Sequence, residues 1–129
     1  MHKTFLVWAA LLGALAVVLG AFGAHKLKEL VPPESVATFQ TGVTYHFYHV
    51  FALLAVGILY AHIPSTQLVW AGRFFLLGIL LFSGSLYIMG CLNMSEHVGL
   101  RKLGIVTPFG GLSFIAGWVM LLLGVLKKA

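Results

Sequence analysis

Four apolar runs, each about 20 residues long, decide what this chain can fold into. They cover roughly Phe5–Ala24, Val43–His62, Leu68–Gly90 and Ile105–Leu126. At about 1.5 Å of rise per residue, such a run reaches across a hydrocarbon core of roughly 30 Å. Lipid offers the backbone no hydrogen-bond partner, so each run has to satisfy its own amides as a helix. The expected fold is an all-α membrane protein, a four-helix transmembrane bundle forming one integral membrane domain over residues 1–129.

Composition leaves no soluble alternative. The chain is 60% hydrophobic and 9% charged, with three acidic residues, well outside the range of soluble globular domains. Its formal charge of +5 comes from Lys3, Lys26, Lys28, Arg73, Arg101, Lys102, Lys127 and Lys128. Each lies at or just beyond the end of a run, where long basic side chains reach the headgroups. That placement argues for membrane lipids as partners and against nucleic acid. Counted by side, Lys3, Arg73, Lys127 and Lys128 share the face of the two termini (side A). Lys26, Lys28, Arg101 and Lys102 share the other (side B), so the positive-inside rule ties.

One cysteine, Cys91, excludes an internal disulfide and a multi-cysteine metal site. Asn93-Met94-Ser95 matches a glycosylation sequon close to the membrane. The first run begins like a signal peptide but is longer than such an apolar segment, so it is expected to be the first helix. Between the first two runs, Pro32-Pro33 precedes Glu34, and Val36, Phe39 and Val43 follow at helical spacing. That pattern predicts a short interfacial helix before the second span.

Aligned by depth, the polar side chains gather toward side B. Gln40 lies on the connection just before helix two, which brings Tyr45, His46, Tyr48 and His49; helix three brings Ser83, Ser85 and Tyr87; helix four brings Thr107 and Ser113; His25 closes helix one. With the second span beginning at Val43, His49 sits about six residues in, roughly 9 Å along the axis. The expectation is a candidate polar recess of His25, Gln40, Tyr45, His49, Ser83, Ser85, Tyr87, Thr107 and Ser113. Trp8, Tyr60 and Trp70 fit an aromatic belt on side A. Gly13 and Gly20, and Gly110, Gly117 and Gly124, recur every seven residues and are expected to let helices pack closely.

These residue types bear on several chemistries. His46 and His49, three apart, would share a helix face and could ligate one metal with His25, Glu96 or His97. No HExxH motif or intramembrane acid accompanies them, so no metal and no other cofactor is expected. Helices three and four carry no histidine in their spans to complete a haem site. A serine–histidine pair would lack an acid to orient the imidazole, and no enzymatic activity is expected. The plainer reading gives His49 an interhelical hydrogen bond and makes Tyr45, His46 and Tyr48 an interfacial anchor.

Taken together, "GAFGAH" (20–25), "FQTGVTYHFYH" (39–49), "LFSGSLY" (81–87) and "TPFGGLSFIAGW" (107–118) resemble a family of small membrane proteins. It is known as domain of unknown function 423 and includes eukaryotic transmembrane protein 256 and many bacterial inner-membrane members. The resemblance covers essentially the whole chain. It implies family positions at His25, Tyr45, His49, Ser83 to Tyr87 and Thr107-Pro108, whereas His46 departs from a position often held by glutamine. It also implies a bacterial inner-membrane location, with basic termini on the cytoplasmic face.

The expected function is a non-enzymatic structural, assembly or membrane-homeostasis role exercised through lipids or a membrane protein partner, with a homo-oligomer open. The alternative is a transporter or redox accessory that binds an ion, proton or quinone around His25, Tyr45 and His49.

Overall fold

Each apolar run folds as hydrocarbon requires, but the helices run further than hydropathy alone marks them. The computed structural model describes residues 1–92 and 100–128, with the side chains of 1–92 and 103–127. Asn93 to Ser95, Glu96 and His97 lie outside the described residues, as do the side chains of Arg101 and Lys102. The elements are α1 (Lys3–Ala24), α2 (Leu27–Leu30), α3 (Pro33–Leu59), α4 (Thr66–Gly78), a π turn (Ile79–Ser83), α5 (Gly84–Cys91) and α6 (Leu100–Lys128). α4, the π turn and α5 form one continuous third span, Thr66–Cys91. Four helices are thus long and apolar enough to cross a membrane, and no strand occurs among the described residues. The chain is a polytopic integral membrane protein.

Local chemistry explains the helix ends. The His2 ring caps α1 by accepting from the Phe5 amide at 3.3 Å, while the His2 amide donates to the Gly57 carbonyl at 3.0 Å and ties the N-terminus to the end of α3. The Ser65 hydroxyl caps α4 by accepting from the Leu68 amide at 3.2 Å. α2 stops at Val31, which is extended, as a residue before proline prefers. α3 then opens with proline in its first turn and Glu34 behind it.

The short helix before the second span is α2. The stretch from Pro33 to Val43, where an interfacial helix was expected, is instead continuous with α3. Its threonines explain why no break occurs. Thr38, Thr41 and Thr44 donate to the carbonyls of Glu34, Ala37 and Gln40, four residues back, so their hydroxyls are satisfied within the helix.

The helices pack in an open series: α1 chiefly on α3, α3 on the third span, and the third span on α6. Aromatic side chains fill the space left by glycines. Phe5 lies over Gly72, Phe114 over Gly78 and Phe75 over Gly117, where an added Cβ would come within 2.6 Å of the ring. At Gly110 a Cβ would meet the Phe82 backbone itself; at Gly124 it would stand 3.1 Å from Leu68. Gly13 and Gly20 face Val50 and Val43, each at 3.4 Å from such an atom. One core joins Phe5, Leu53, Leu68, Phe75, Ile79 and Phe114; a smaller one, of Leu27, Phe39 and Val43, closes side B of the α1–α3 pair.

Candidate functional site

The polar side chains in the spans divide among the helix seams rather than lining one recess. In the seam between α3 and the third span, the wholly buried Ser83 hydroxyl donates to the Gly42 carbonyl at 2.7 Å. The Tyr87 hydroxyl lies 2.6 Å from His46 Nδ1 in the same seam. In the seam with α6, Ser113 donates to the Phe74 carbonyl at 2.8 Å, and the Ser85 and Thr107 hydroxyls pair at 2.6 Å. His25 is exposed, its Nδ1 2.9 Å from the Ala21 carbonyl of its own helix. Gln40 is half-buried, its amide on the α1 side by Gly23. Of the nine expected recess residues, His25 and Gln40 therefore stand apart from the rest, and Tyr45 and His49 share a site of their own.

His49 is 4% exposed, and both of its ring nitrogens are engaged. Nδ1 lies 2.7 Å from the Tyr45 carbonyl, which can only accept, so Nδ1 carries the proton. Nε2 then holds a lone pair, and the Trp118 indole donates to it at 3.1 Å. The imidazole stacks on Phe114 with ring centroids 3.5 Å apart and planes 7° from parallel. His49 also lies deeper than expected. It is ten residues from the end of α3 at Leu59, about 15 Å, which is near the middle of the bilayer.

His46 and His49 do not share a face. Three residues turn a helix by about 300°, leaving side chains some 60° apart. Because α3 is wedged between neighbours, that angle sends His46 toward Tyr87 and groove-lining residues of α1, and His49 toward α6. No group of three or more His, Cys, Asp or Glu able to hold a metal ion occurs among the described residues.

Two grooves open beside these seams, with no lining residue in common. The larger, about 920 Å³, lies between α3 and α6 and is walled by Tyr45, Tyr48, Phe82, Phe114 and Trp118. The smaller, about 490 Å³, lies between α1 and the third span, with His46 and Tyr87 in its lining.

Sequence reasoning missed Trp118 and undervalued His46. A tryptophan in mid-span is too deep for an interfacial belt, and its N–H, out of reach of water there, needs an acceptor. That need was the available signal pointing to His49. His46, expected as part of the anchor, is buried instead and meets the inward-turned Tyr87. Trp70 matches the belt expectation: it is 42% exposed, with the Arg73 guanidinium 4.9 Å above its ring.

Residues 19–111 match the family described as "Protein of unknown function (DUF423)". The UPF0382 inner membrane protein YgdD of Escherichia coli strain K12 is 40% identical over 125 residues, 97% of this chain and 91% of its own length. The UPF0382 membrane protein YwdK of Bacillus subtilis is 39% identical over 126 residues, 97% of this chain and 98% of its own. The UPF0382 membrane protein SSP2132 of Staphylococcus saprophyticus is 38% identical, with coverage of 97% and 98%. No solved structure matches the chain.

Proposed function

The chain belongs to the DUF423 family, and from that premise we propose that it is a non-enzymatic structural, assembly or membrane-homeostasis protein. It acts through lipids or a membrane protein partner in the bacterial inner membrane, with both termini in the cytoplasm. One observation supports this reading above others: apart from His46 Nε2, the serines and histidines inside the spans have their hydrogen-bonding groups committed to the bundle itself. Ser83 and Ser113 donate to carbonyls of neighbouring helices, Ser85 is paired with Thr107, and His49 has a partner at each nitrogen. A serine whose hydroxyl is committed to a carbonyl has no base beside it to activate it. Interhelical bonds of this kind are the usual occupation of serine and histidine within a membrane bundle. The location is supported by the printed description of the Escherichia coli relative as an inner membrane protein.

Native mass spectrometry of the full chain, released gently from its membrane, tests the reading. A chain carrying heterogeneous lipid, or a second protein at fixed ratio, is the expected result. A stoichiometric small-molecule adduct that disappears in His49→Ala would overturn it. The reading would then pass to a transporter or redox accessory holding an ion, proton or quinone around His25, Tyr45 and His49.

A further inference from the structure

His46 is 1% exposed, and one of its two ring nitrogens has no partner. Nδ1 faces the Tyr87 hydroxyl at 2.6 Å. Phenol is the stronger acid of these two neutral groups, so Tyr87 donates and Nδ1 accepts. The imidazole proton then resides on Nε2, the unpartnered atom. The Leu12 carbonyl faces the ring from α1 without completing a bond to it, and already accepts within its own helical ladder. A buried N–H donor left without a completed hydrogen bond is unfavourable unless an acceptor reaches it. His46 lines the 490 Å³ groove between α1 and the third span.

A second, independent observation lies in the same groove. Gly84 has ordinary helical backbone angles, φ −58° and ψ −45°, which any residue adopts. A Cβ added there would meet no atom within 4 Å; Gly104 is as open, but only Gly84 of the two lines this groove, and Gly72, Gly78, Gly110 and Gly117 lie against aromatic rings or backbone. Glycine within a helix is less stable than alanine, and neither conformation nor packing inside the chain accounts for this one. An occupant of the groove accounts for both the bare wall and the unpaired donor.

Depth narrows the occupant. His46 lies 13 residues from Leu59, about 20 Å, or some two-thirds of the way across the hydrocarbon. Phospholipid ester carbonyls stay at the edge of that core, about 10 Å nearer side B. The acceptor therefore belongs to a head group that itself enters the hydrocarbon. We propose that this groove binds a quinone with an apolar tail, one carbonyl oxygen accepting from His46 Nε2–H, the ring over Gly84 beside Tyr87, and the tail along Leu12, Leu15, Leu76 and Leu80 toward Trp8. This site is separate from the α3–α6 groove and does not depend on the structural role proposed above.

The test is a titration of the full chain in lipid nanodiscs with a decyl-substituted benzoquinone, read by quenching of Trp8 fluorescence; the saturable part should vanish in Trp8→Phe. Decylbenzene, with the same tail and no carbonyl, should not bind saturably. His46→Phe should weaken binding by about tenfold, the worth of one buried hydrogen bond, and His46→Gln, which keeps an N–H donor, should recover part of it. Gly84→Leu enters the groove from a position where the backbone leaves open space, so it should keep the parent's thermal midpoint within a few degrees and lose saturable binding. Absence of saturation in the parent chain, unchanged binding in Gly84→Leu, or equal binding of decylbenzene would overturn the proposal. Equal competition by a fatty-acid ester would overturn the quinone assignment. In a native mass spectrum the adduct should survive His49→Ala and disappear in Gly84→Leu, which separates this site from the residues named in the alternative function above.

Discussion

His49 shows how much one side chain can hold together at the centre of a bilayer. It joins the Tyr45 carbonyl, the Trp118 indole and the face of Phe114, so α3 and α6 meet through it. His49→Ala removes the stack and leaves the Trp118 N–H without an acceptor; the expected loss is about 2–4 kcal/mol. An unfolding titration in a denaturing detergent, followed by far-ultraviolet circular dichroism, measures it, and an unchanged midpoint would refute the assignment. The glycines give a paired comparison. Gly110→Ala drives a methyl into the Phe82 backbone, which cannot yield, and should cost about 1–3 kcal/mol. Gly104→Ala meets nothing within 4 Å and should be neutral or gain up to about 1 kcal/mol. The thermal midpoint should therefore fall below the parent's for Gly110→Ala and at or above it for Gly104→Ala. At this scale the sequence showed which residue types stood at which depth, but not who met whom. Spacing put His46 and His49 together, and only the position of α3 between neighbours shows them parting.

Elements were more legible than contacts, because hydrocarbon imposes length and self-satisfied backbones on anything that crosses it. All four spans were readable for that reason. The start of α3 was not, since hydropathy does not register threonines that bond their own helix, and the helix begins at Pro33 rather than near Val43. The π turn was invisible too: Ile79-Leu80-Leu81-Phe82-Ser83 is as apolar as any helical stretch. That turn carries one residue more than an α-helix would use, and absorbs it so that α5 keeps its facing against α3 and α6. Deleting Leu80, which is 69% exposed, should therefore restore α geometry and keep Tyr87 on His46 and Ser85 on Thr107. Size-exclusion chromatography of a fluorescent fusion should show a normal monodisperse peak for the deletion, as for Leu80→Ala. A deletion that loses the peak would mean that the turn does more than absorb the extra residue.

At the scale of the whole molecule, an even number of spans puts both termini on one side, and the basic residues divide four and four between the two faces. Charge alone therefore leaves orientation balanced, and the proposed cytoplasmic termini rest on the family. A fluorescent protein fused after Ala129 should glow in bacteria and alkaline phosphatase at the same place should stay inactive; the reverse pattern would invert the topology. The candidate recess was legible only as an inventory, because whether polar groups face a common space depends on helix rotation, which apolar runs do not encode.

The order of packing bears on how the protein is made. α1 rests chiefly on α3 and the third span on α6, so each helical hairpin contains a seam of its own, and six residues, Tyr60 to Ser65, join the two. By the time Leu59 has left the ribosome, everything the first hairpin needs in order to insert is already present. Nothing in the second hairpin has to be threaded past it. What then joins the halves is recognition between α3 and the second hairpin, through Ser83 on Gly42, Tyr87 on His46, and Trp118 and Phe114 on His49. A break in translation at Pro64, with the two pieces synthesised separately in one cell, should still give a protein that purifies as a pair, and continuity of the gene at that point would be a convenience of supply rather than a condition of assembly.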